Sequence, residues 1–467
     1  MNLEEVRAWA AAGESDTQEL KATTSEQHEG LKALCGMLNG RGGRVLFGVT
    51  PDGQVLGQHV GDQTIHKLAQ DINQKFDPAV SPVIEVVPVD GTRSVIVVEV
   101  GQGRLRPYSF DGTAYAKVGN TKTRMSQGDK DRLTAERLHQ SNSWDAAPSP
   151  LGVDALDLEE LDEAVRDAIR AHRMSDPPDW QPRALLQCLG LLGRDGRLRN
   201  GALVLFGLPE ALLGHYPSCA VSLVRYKGLT KTDESTDFRR YEGNIFALVR
   251  HTEAFLSDHL HVATRIVGMT RADVPEVPVY SQREALVNAL CHRQYETPGA
   301  TSVYIFDDRV EVASIGPLHF GLTVPDLFGP HESQPWNPLI ASALYRRGLI
   351  DTQGSGTLRM IDQARKAGKW PPAIITTNQS VRVEFTRDGW MPSRFRHLEL
   401  SEARRDIVRL VVASPEPIAP ADITAVVGLH STTVSDHLGA LVDARILVRT
   451  GKGRTTRYQL ADAGGGS

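Results

Sequence analysis

The stretch LCGMLNGRGGRVLFGVTPDGQVLG, residues 34–57, decides the fold of the first part of the chain. Apolar residues recur at helical spacing from Leu31 to Leu38, and the pattern stops at the glycines of NGRGG, which predicts a helix that ends there. RVLFGV then predicts a buried strand, TPDG a turn and QVLG a second strand. A helix followed directly by strands indicates a mixed α and β domain.

The flanking sequence continues this pattern in both directions. TQELK predicts a strand with Glu19 and Lys21 on one face and Leu20 on the other. After the quoted stretch we expect a helix near 63–76, and then two hairpin strands, VIEVVPV and RSVIVVEV, joined by DG. The predicted product is an α+β domain of roughly 125 residues.

Length and composition indicate a globular chain with several domains. At 467 residues the chain has room for about three of them. A hydrophobic content of 40% excludes a wholly disordered chain, and a net charge of −5 gives no global attraction to nucleic acid. The four cysteines lack CxxC spacing, and no apolar run approaches the roughly 18 residues of a membrane span. We therefore expect reduced cysteines, a cytoplasmic location and no membrane partner.

Breaks in the pattern divide the rest of the chain. Helices are expected over 153–172 and in RALLQCLGLL, YEGNIFALVRHTEAFLSDHL and SQREALVNALCHRQY, and strands in GALVLFG, CAVSLVRYKG, TSVYIFD and RVEVASIG. Polar or Pro-rich joints separate the segments. The expected order is an α+β domain (1–135), a linker (136–152), an α/β connecting domain (153–270), a second α/β domain (271–390), a winged helix (398–462) and a tail or cloning scar (463–467).

Two carboxylates and an amine lie close together in GESDTQELKA, residues 13–22, as Glu14, Glu19 and Lys21. Carboxylates are ligands for Mg²⁺ or Mn²⁺, the metal activates water and neutralises developing charge, and a lysine can hold a phosphate. The three residues are therefore candidates for phosphodiester cleavage. The alternative is a solvated Glu–Lys pair on the surface, which is the commoner use of such spacing.

Three separated motifs, ESDTQELK, LCGMLNGRGGRVLFGVTPDGQVLG and AYAKVGNTKTRMS, together resemble the Schlafen-type AlbA domain over about residues 10–126. The resemblance implies nucleic-acid binding and, as in the nuclease members, a metal centre of three acids that cleaves tRNA and related RNA. The ExxxxE motif of the family matches Glu14 and Glu19. Its third acid falls on Pro51 here, so Asp52, one residue later, is the candidate third ligand.

Basic residues near two tyrosines support nucleic-acid binding independently of that resemblance. Cations that contact phosphates, with an aromatic ring for stacking, are expected in proteins that bind RNA or single strands. The alternative is a set of scattered, solvated cations. The tyrosines are Tyr108 and Tyr115, and the candidate phosphate contacts are Arg104, Arg106, Lys117, Lys122 and Arg124.

In REALVNALCHRQY, Glu284, Asn288 and His292 recur every four residues and form one polar stripe of a helix. Such a stripe is usually a solvated face. Together with IFDDRVEVASIGPLHFG and GLIDTQGSGTLRM, however, this helix resembles the divergent GHKL-type ATPase module found behind Schlafen-type domains, over about residues 200–386. The resemblance implies that Glu284 orients the attacking water and that Asn288 binds Mg²⁺.

The phosphate and adenine sites of that module are less well matched. GSGTLRM offers Gly354 and Gly356 for a phosphate-contacting turn before a helix, although a glycine-rich helix start is the simpler interpretation. ASIGPLHFG stands in place of the DxGxG box of the family and lacks its aspartate. We therefore expect weak ATP binding or none, and a dimerising or sensory scaffold in a homo-oligomer.

The last segment predicts a winged helix. SEARRDIVRLVVA, APADITAVVGLH and STTVSDHLGALVDARI give three helices, with Gly428 closing the second and Ser431 as the N-cap of the third, and LVRTGKGRTTRYQL gives a hairpin wing. The segment resembles bacterial transcription regulators, although such a module can also serve protein contacts alone. Groove contacts are expected from Ser431, Thr432, Thr433, Ser435 and His437, and backbone contacts from Arg449, Lys452, Arg454 and Arg457.

The sequence thus predicts a multidomain α+β chain with an N-terminal Schlafen/AlbA-like domain, a central α/β GHKL-like region and a C-terminal winged helix-turn-helix. Two functions are open. The first is a metal-dependent endoribonuclease for tRNA or related RNA, controlled by the C-terminal domains in phage defence or stress. The second is a non-catalytic, DNA-binding transcriptional regulator. Both imply nucleic-acid partners, RNA at the N-terminal domain and duplex DNA at the winged helix.

Overall fold

A computed structural model of the chain describes residues 1–267, 270–329, 333–351, 354–395, 398, 400–414 and 416–461. It divides into two units, residues 1–141 and 142–467. Among the described residues, no helix has the length and apolar character needed to cross a membrane.

The first unit is built on a four-stranded sheet. Its elements are α1 (Leu3–Ala12), β1 (Gln18–Lys21), α2 (Gln27–Asn39), β2 (Gly42–Phe47), α3 (Asp62–Lys75), β3 (Phe76–Asp77), β4 (Val83–Pro88), β5 (Ser94–Gly101), β6 (Ser109–Phe110), β7 (Tyr115–Val118), β8 (Thr121–Arg124) and α4 (Gln127–Ser141). The strand order is β1-β2-β5-β4, with β1 parallel to β2 and the other pairs antiparallel. The predicted α+β domain is therefore confirmed.

Side-chain alternation along the strands gives this sheet two buried faces. Leu46 on β2 packs with Val6 and Ala10 of α1, whereas its neighbours Val45 and Phe47 pack with the apolar residues of α2 and α3. The predicted second strand QVLG is not formed. Within QVLG the one β-bridge pairs Val55 with Val49, two residues after β2. The chain turns at Gly53, which has a φ of +84°, just before this segment.

Two glycines permit the close backbone contacts that position β1 and β7. Gly43 has a φ of +148°, and a Cβ there would lie 2.2 Å from the carbonyl oxygen of Thr17, at the entrance to β1. A Cβ on Gly36 of α2 would lie 2.8 Å from the backbone nitrogen of Lys117 on β7. Because real Cβ atoms do not approach other atoms so closely, glycine is required for both strands to lie where they do.

The second unit contains a larger mixed sheet and the C-terminal helices. Its elements are α5 (Leu158–Arg170), α6 (Pro182–Cys188), α7 (Asn200–Phe206), α8 (Pro209–His215), β9 (Ala220–Lys227), β10 (Glu234–Glu242), α9 (Ile245–His259), β11 (Val262–Val267), β12 (Thr270–Pro275), α10 (Val279–Cys291), β13 (Thr301–Ile305), β14 (Arg309–Ile315), α11 (Val324–Leu327), α12 (Pro338–Arg346), α13 (Gly356–Lys366), β15 (Ala373–Thr376), β16 (Ser380–Thr386), α14 (Glu402–Ala413), α15 (Pro420–Val427), α16 (Ser431–Asp443), β17 (Leu447–Thr450) and β18 (Arg457–Leu460). Six of the strands form one sheet in the order β10-β9-β13-β14-β16-β15.

This sheet crosses the boundary expected at residue 270. Strands β9 and β10 come before that residue and β13 to β16 come after it, so the two expected α/β segments share one layer. GALVLFG, predicted as a strand, forms the buried helix α7. A short apolar run fits a buried helix as well as a buried strand, and the pattern alone does not distinguish them.

The segment expected as a linker, 136–152, is partly core. Asp145 within it is fully buried, and its carboxylate accepts hydrogen bonds from the backbone nitrogens of Leu339 and Ile340, at 2.7 and 3.1 Å. These nitrogens belong to the first turn of α12, where a negative charge is favourable. The part of the segment around Asp145 therefore belongs to the second unit, where it anchors α12.

The winged helix forms as predicted, with one shift at a helix start. Ile423, Val434 and Leu438 are fully buried in its core. Gly428 ends α15 with a φ of +71°, as expected for a left-handed C-cap. The N-cap of α16 is His430, one residue before the predicted Ser431, and it makes no side-chain capping bond.

Candidate nucleic-acid interface

Glu19, at the centre of β1, holds three lysines together. Its Oε1 lies 2.6 Å from the Nζ of Lys21 and 2.6 Å from that of Lys122, and its Oε2 lies 2.9 Å from the Nζ of Lys117. The side chains of Glu19 and Lys117 are 1% and 0% exposed. These four residues are called the lysine cluster below.

The charges of the lysine cluster stabilise one another. Burial by itself would raise the pKa of Glu19, but hydrogen bonds from Lys122, Lys21 and Lys117 outweigh burial and lower that pKa. Burial would likewise lower the pKa of Lys21, but the hydrogen bond to Glu19 and the charges of Glu19 and Glu14 raise it. Glu19 and Lys21 are therefore both ionised at neutral pH.

The stability contributed by the cluster should be lost at both ends of the pH scale. The pKa of Glu19 is lowered, so its contribution is present above its ordinary pKa of 4.5 and is lost as the pH falls through the lowered value. The pKa of Lys21 is raised, so its contribution is present below 10.5 and is lost as the pH rises through the raised value. Hydrogen exchange of peptides from β1 and β2 across both ranges checks this, and protection that stays constant on acidification would contradict it.

The three acids proposed as metal ligands do not form one site. Glu14 lies at the edge of the cluster, where its Oε1 is 3.5 Å from the Nζ of Lys21 and accepts a hydrogen bond from the backbone nitrogen of Leu20 at 3.2 Å. Asp52 is exposed in the turn after β2 and accepts a hydrogen bond from Gln54 at 2.9 Å. Among the described residues, no group of three or more His, Cys, Asp or Glu side chains is placed to hold a metal. As placed, these acids do not fit a three-carboxylate Mg²⁺ or Mn²⁺ centre, because both oxygens of Glu19 already pair with ammonium groups.

The candidate phosphate contacts of the first unit are partly buried. Lys117 and Lys122 belong to the lysine cluster, and buried Arg106 has its guanidinium 3.6 Å from the carboxylate of Glu136. Arg104 and Arg124 are exposed. Two of the five predicted cations therefore present an open surface to a phosphate backbone.

The two tyrosines differ from the stacking platform that was expected. Tyr108 is a core residue, 6% exposed, and its backbone nitrogen donates to the Oδ1 of Asn39 at 2.7 Å. The prediction that it stacks on bases is therefore wrong. Tyr115 is half-buried beside that core, and the Nζ of Lys32 lies 6.0 Å from its ring centroid.

The helix α16 and the wing present polar and basic side chains to solvent. Val434 and Leu438 turn inward, and His437 is half-buried and accepts a hydrogen bond at its Nδ1 from the Nε of Arg404, at 3.3 Å.

On the wing, the side chain of Arg454 lies outside the described residues, and half-buried Arg457 donates to the carbonyl of Thr456. The exposed residues are Ser431, Thr432, Thr433, Ser435 and Asp436 on α16, with Arg449 and Lys452 on the wing.

The polar stripe of α10 faces a cavity of about 180 Å³ in the second unit. Glu284, Asn288 and His292 all line it, so the stripe is not a solvated face. The Nδ2 of Asn288 donates to the Oε1 of Glu284 at 3.0 Å. Burial raises the pKa of Glu284 and lowers that of His292 to about 4, so His292 is neutral at pH 7.

Gly354 and Gly356 also line this cavity, but its chemistry does not fit a nucleoside triphosphate. A Cβ on Gly356, at the start of α13, would lie only 1.7 Å from the Oε1 of Glu284. The N-terminal end of α13 therefore meets a carboxylate, which would repel a phosphate. No Lys or Arg occurs among the described residues that line the cavity, although a triphosphate needs cationic partners. Weak ATP binding or none stays our expectation.

Comparisons with known families match three segments of the chain. Residues 14–126 match the family "Schlafen, AlbA_2", residues 299–385 match "Putative ATP-dependent DNA helicase recG C-terminal", and residues 400–450 match "Helix-turn-helix domain". Glu284 and Asn288 precede the second of these segments, so that match does not include them.

Two solved structures are similar at low identity. The DIP2311 protein from Corynebacterium diphtheriae is 18% identical with a TM-score of 0.44, and the match covers 98% of each chain. The N-terminal domain of a "Putative ATP-dependent DNA Helicase RecG-related Protein" from Nitrosomonas europaea is 16% identical with a TM-score of 0.21, covering 26% of this chain and 90% of that one. No curated protein matches.

The matched segments agree with the architecture. The first lies within the unit built on the four-stranded sheet, the second runs from β13 to β16, and the third contains α14 to α16. The chain is therefore a nucleic-acid-binding protein that carries a Schlafen AlbA_2 domain, a RecG-like ATPase-related region and a helix-turn-helix domain.

Proposed function

We propose that the chain is a non-catalytic transcriptional regulator that binds duplex DNA through α16 and the β17–β18 wing. The observation that carries this proposal is the run of exposed short polar side chains at the N-terminal end of α16, together with exposed Arg449 and Lys452 on the wing of the same domain. Winged helices place such a helix in the major groove, while basic wing residues contact phosphates. Exposed Asp436 can accept a hydrogen bond from the amino group of a cytosine.

The first unit supports a secondary role in binding. Most of its candidate cations are paired with buried carboxylates, which leaves Arg104 and Arg124 as its open candidate contacts. Two phosphate contacts add affinity that does not depend on sequence. Duplex recognition by the winged helix therefore involves more of the exposed candidate contacts than RNA recognition by the first unit does.

Replacing Arg449 and Lys452 together by Ala should weaken duplex DNA binding for every sequence tested. Each lost phosphate contact lowers the slope of log K against log salt by about 0.9, so the double variant should lower it by roughly 1.8. Fluorescence anisotropy with labelled duplexes at several salt concentrations measures both the affinity and the slope.

A matched control removes two positive charges elsewhere in the same unit. Arg166 and Arg170 of α5 are 62% and 71% exposed, and replacing both by Ala changes the net charge equally. The control should leave the slope unchanged. If the wing variant kept the wild-type slope, or if both variants reduced it equally, the proposed docking would be wrong.

A metal-dependent endoribonuclease acting on tRNA or related RNA is the second candidate. It is supported by the match of residues 14–126 to the family "Schlafen, AlbA_2", with Glu14 and Glu19 at the ExxxxE motif of the nuclease members that the sequence resembles. Metal binding would require Glu19 to exchange its lysine partners for the metal. Incubating the full chain with total tRNA and Mn²⁺ distinguishes the candidates. Cleavage that requires Mn²⁺ and is lost in the exposed-turn variant Asp52→Asn would favour the ribonuclease, and intact tRNA would favour the regulator.

A further inference from the structure

We propose that the cavity beside α10 binds a small organic cation with a single aromatic ring, of the class of protonated benzylic amines. This inference goes beyond the proposed DNA-binding function and does not depend on it. Three features of the cavity carry it: its size, its charge and its aromatic wall.

The size of the cavity fits one ring. Its volume is about 180 Å³. An engineered cavity of about 150 Å³ in another protein accepts benzene, so a ring with a short polar substituent is a suitable occupant here. Most of the lining is apolar, with Val312, Met360, Ile374 and Val383 among the contributors. An apolar surface of this kind favours the hydrocarbon part of a ligand.

The charge of the cavity favours a cation. Two acids line it, and one of them, Asp351, pairs with Arg359 at 2.9 Å. The other, Glu284, has no ion-pair partner within 4 Å among the described residues, while Asn288 donates to its Oε1. His292 adds no positive charge at pH 7 because burial lowers its pKa to about 4. Burial raises the pKa of Glu284, and an incoming ammonium group would stabilise its ionised form.

The aromatic wall consists of His319 and Trp336. Their rings stack with centroids 3.6 Å apart and an interplanar angle of 17°, and both residues line the cavity. Aromatic rings stack favourably with a second ring, and the face of a tryptophan attracts a cation. This wall and Glu284 therefore suit the two ends of the same small molecule.

Calorimetry on the full chain with benzylamine tests the site directly. We expect one equivalent to bind. Glu284→Gln removes the charged partner and should weaken binding on the order of tenfold or more. Ala289→Leu fills the cavity from α10 and should abolish binding. Glu253→Gln, an exposed acid on α9, is the matched control and should bind like the wild type.

Several outcomes would overturn the proposal. They are the absence of benzylamine binding to the wild type, equal binding by Glu284→Gln and the wild type, and unchanged binding by Ala289→Leu. Binding of Mg²⁺–ATP that Asn288→Ala abolishes would assign the cavity to a nucleotide instead. If Glu284→Gln does not fold, as shown by its melting curve, Ala289→Leu decides the question alone.

Discussion

Glu19→Gln should destabilise the first unit by roughly 3–5 kcal/mol, the usual cost of removing one partner from a buried ion pair. The amide cannot balance three ammonium groups, and the side chain of Lys117 is 0% exposed, so this lysine has no access to water as a substitute. Hydrogen exchange of peptides from β1 and β2 gives the free energy of opening in the full chain. We expect protection of these strands to fall while the second unit is unaffected.

Two further variants test whether the stability lost in Glu19→Gln comes from the charge balance of the lysine cluster. Glu14→Gln alters a carboxylate that touches the cluster only at 3.5 Å and should cost less than about 1 kcal/mol. Adding Lys117→Met to Glu19→Gln removes the buried lysine that has lost its partner and should restore part of the stability. If Glu19→Gln were as stable as the wild type, Glu19 would not be the centre of a charge network. The metal-site hypothesis predicts that result, because two carboxylates that share a metal repel each other in its absence.

Local patterns in the sequence were sufficient to predict the α+β architecture of the first unit. Apolar spacing and glycines located α2 and β2, and alternation located β1. The lysine cluster was not predictable in this way. Lys122 pairs with Glu19 across 103 positions of the chain, and this contact depends on the packing of β7 and β8 against α2. The short spacing of Glu14, Glu19 and Lys21 instead suggested a metal site.

The second unit also contains features that local sequence patterns could not predict, for a different reason. Glu284 and Asn288 of the predicted stripe lie on α10, His292 is the C-cap of this helix, and all three residues line the cavity. A polar stripe faces bulk solvent in one fold and a cavity in another, and only the surrounding sheet and α13 decide which. The segment around Asp145 likewise looked like a linker because its residues are polar and Pro-rich. Its buried carboxylate accepts hydrogen bonds from two backbone nitrogens of α12, almost two hundred positions later, and no local pattern reveals such a contact.

Gly43→Ala should be about as damaging as Glu19→Gln, through the backbone. Gly43 has a φ of +148°, where an L side chain is strained, and the added Cβ would lie 2.2 Å from the carbonyl oxygen of Thr17. Strain and overpacking each cost roughly 1–3 kcal/mol, so a loss of about 3 kcal/mol or more is expected. The atom in the way belongs to the backbone and cannot rotate aside. Relief therefore requires β1 to move away from β2.

The consequence reaches the lysine cluster, because β1 carries Glu19 and pairs with β2 in register, Glu19 opposite Val45. If β1 moves, Glu19 no longer lies within reach of the lysines on β7 and β8. Hydrogen exchange should then show lost protection in β1 and also in the β7–β8 hairpin. Gly101→Ala is the matched control, since a Cβ at this end of the same sheet meets nothing within 4 Å, and it should change stability by no more than about 0.5 kcal/mol. Loss of protection confined to β1, with the hairpin unaffected, would show that the cluster does not couple the hairpin to the sheet.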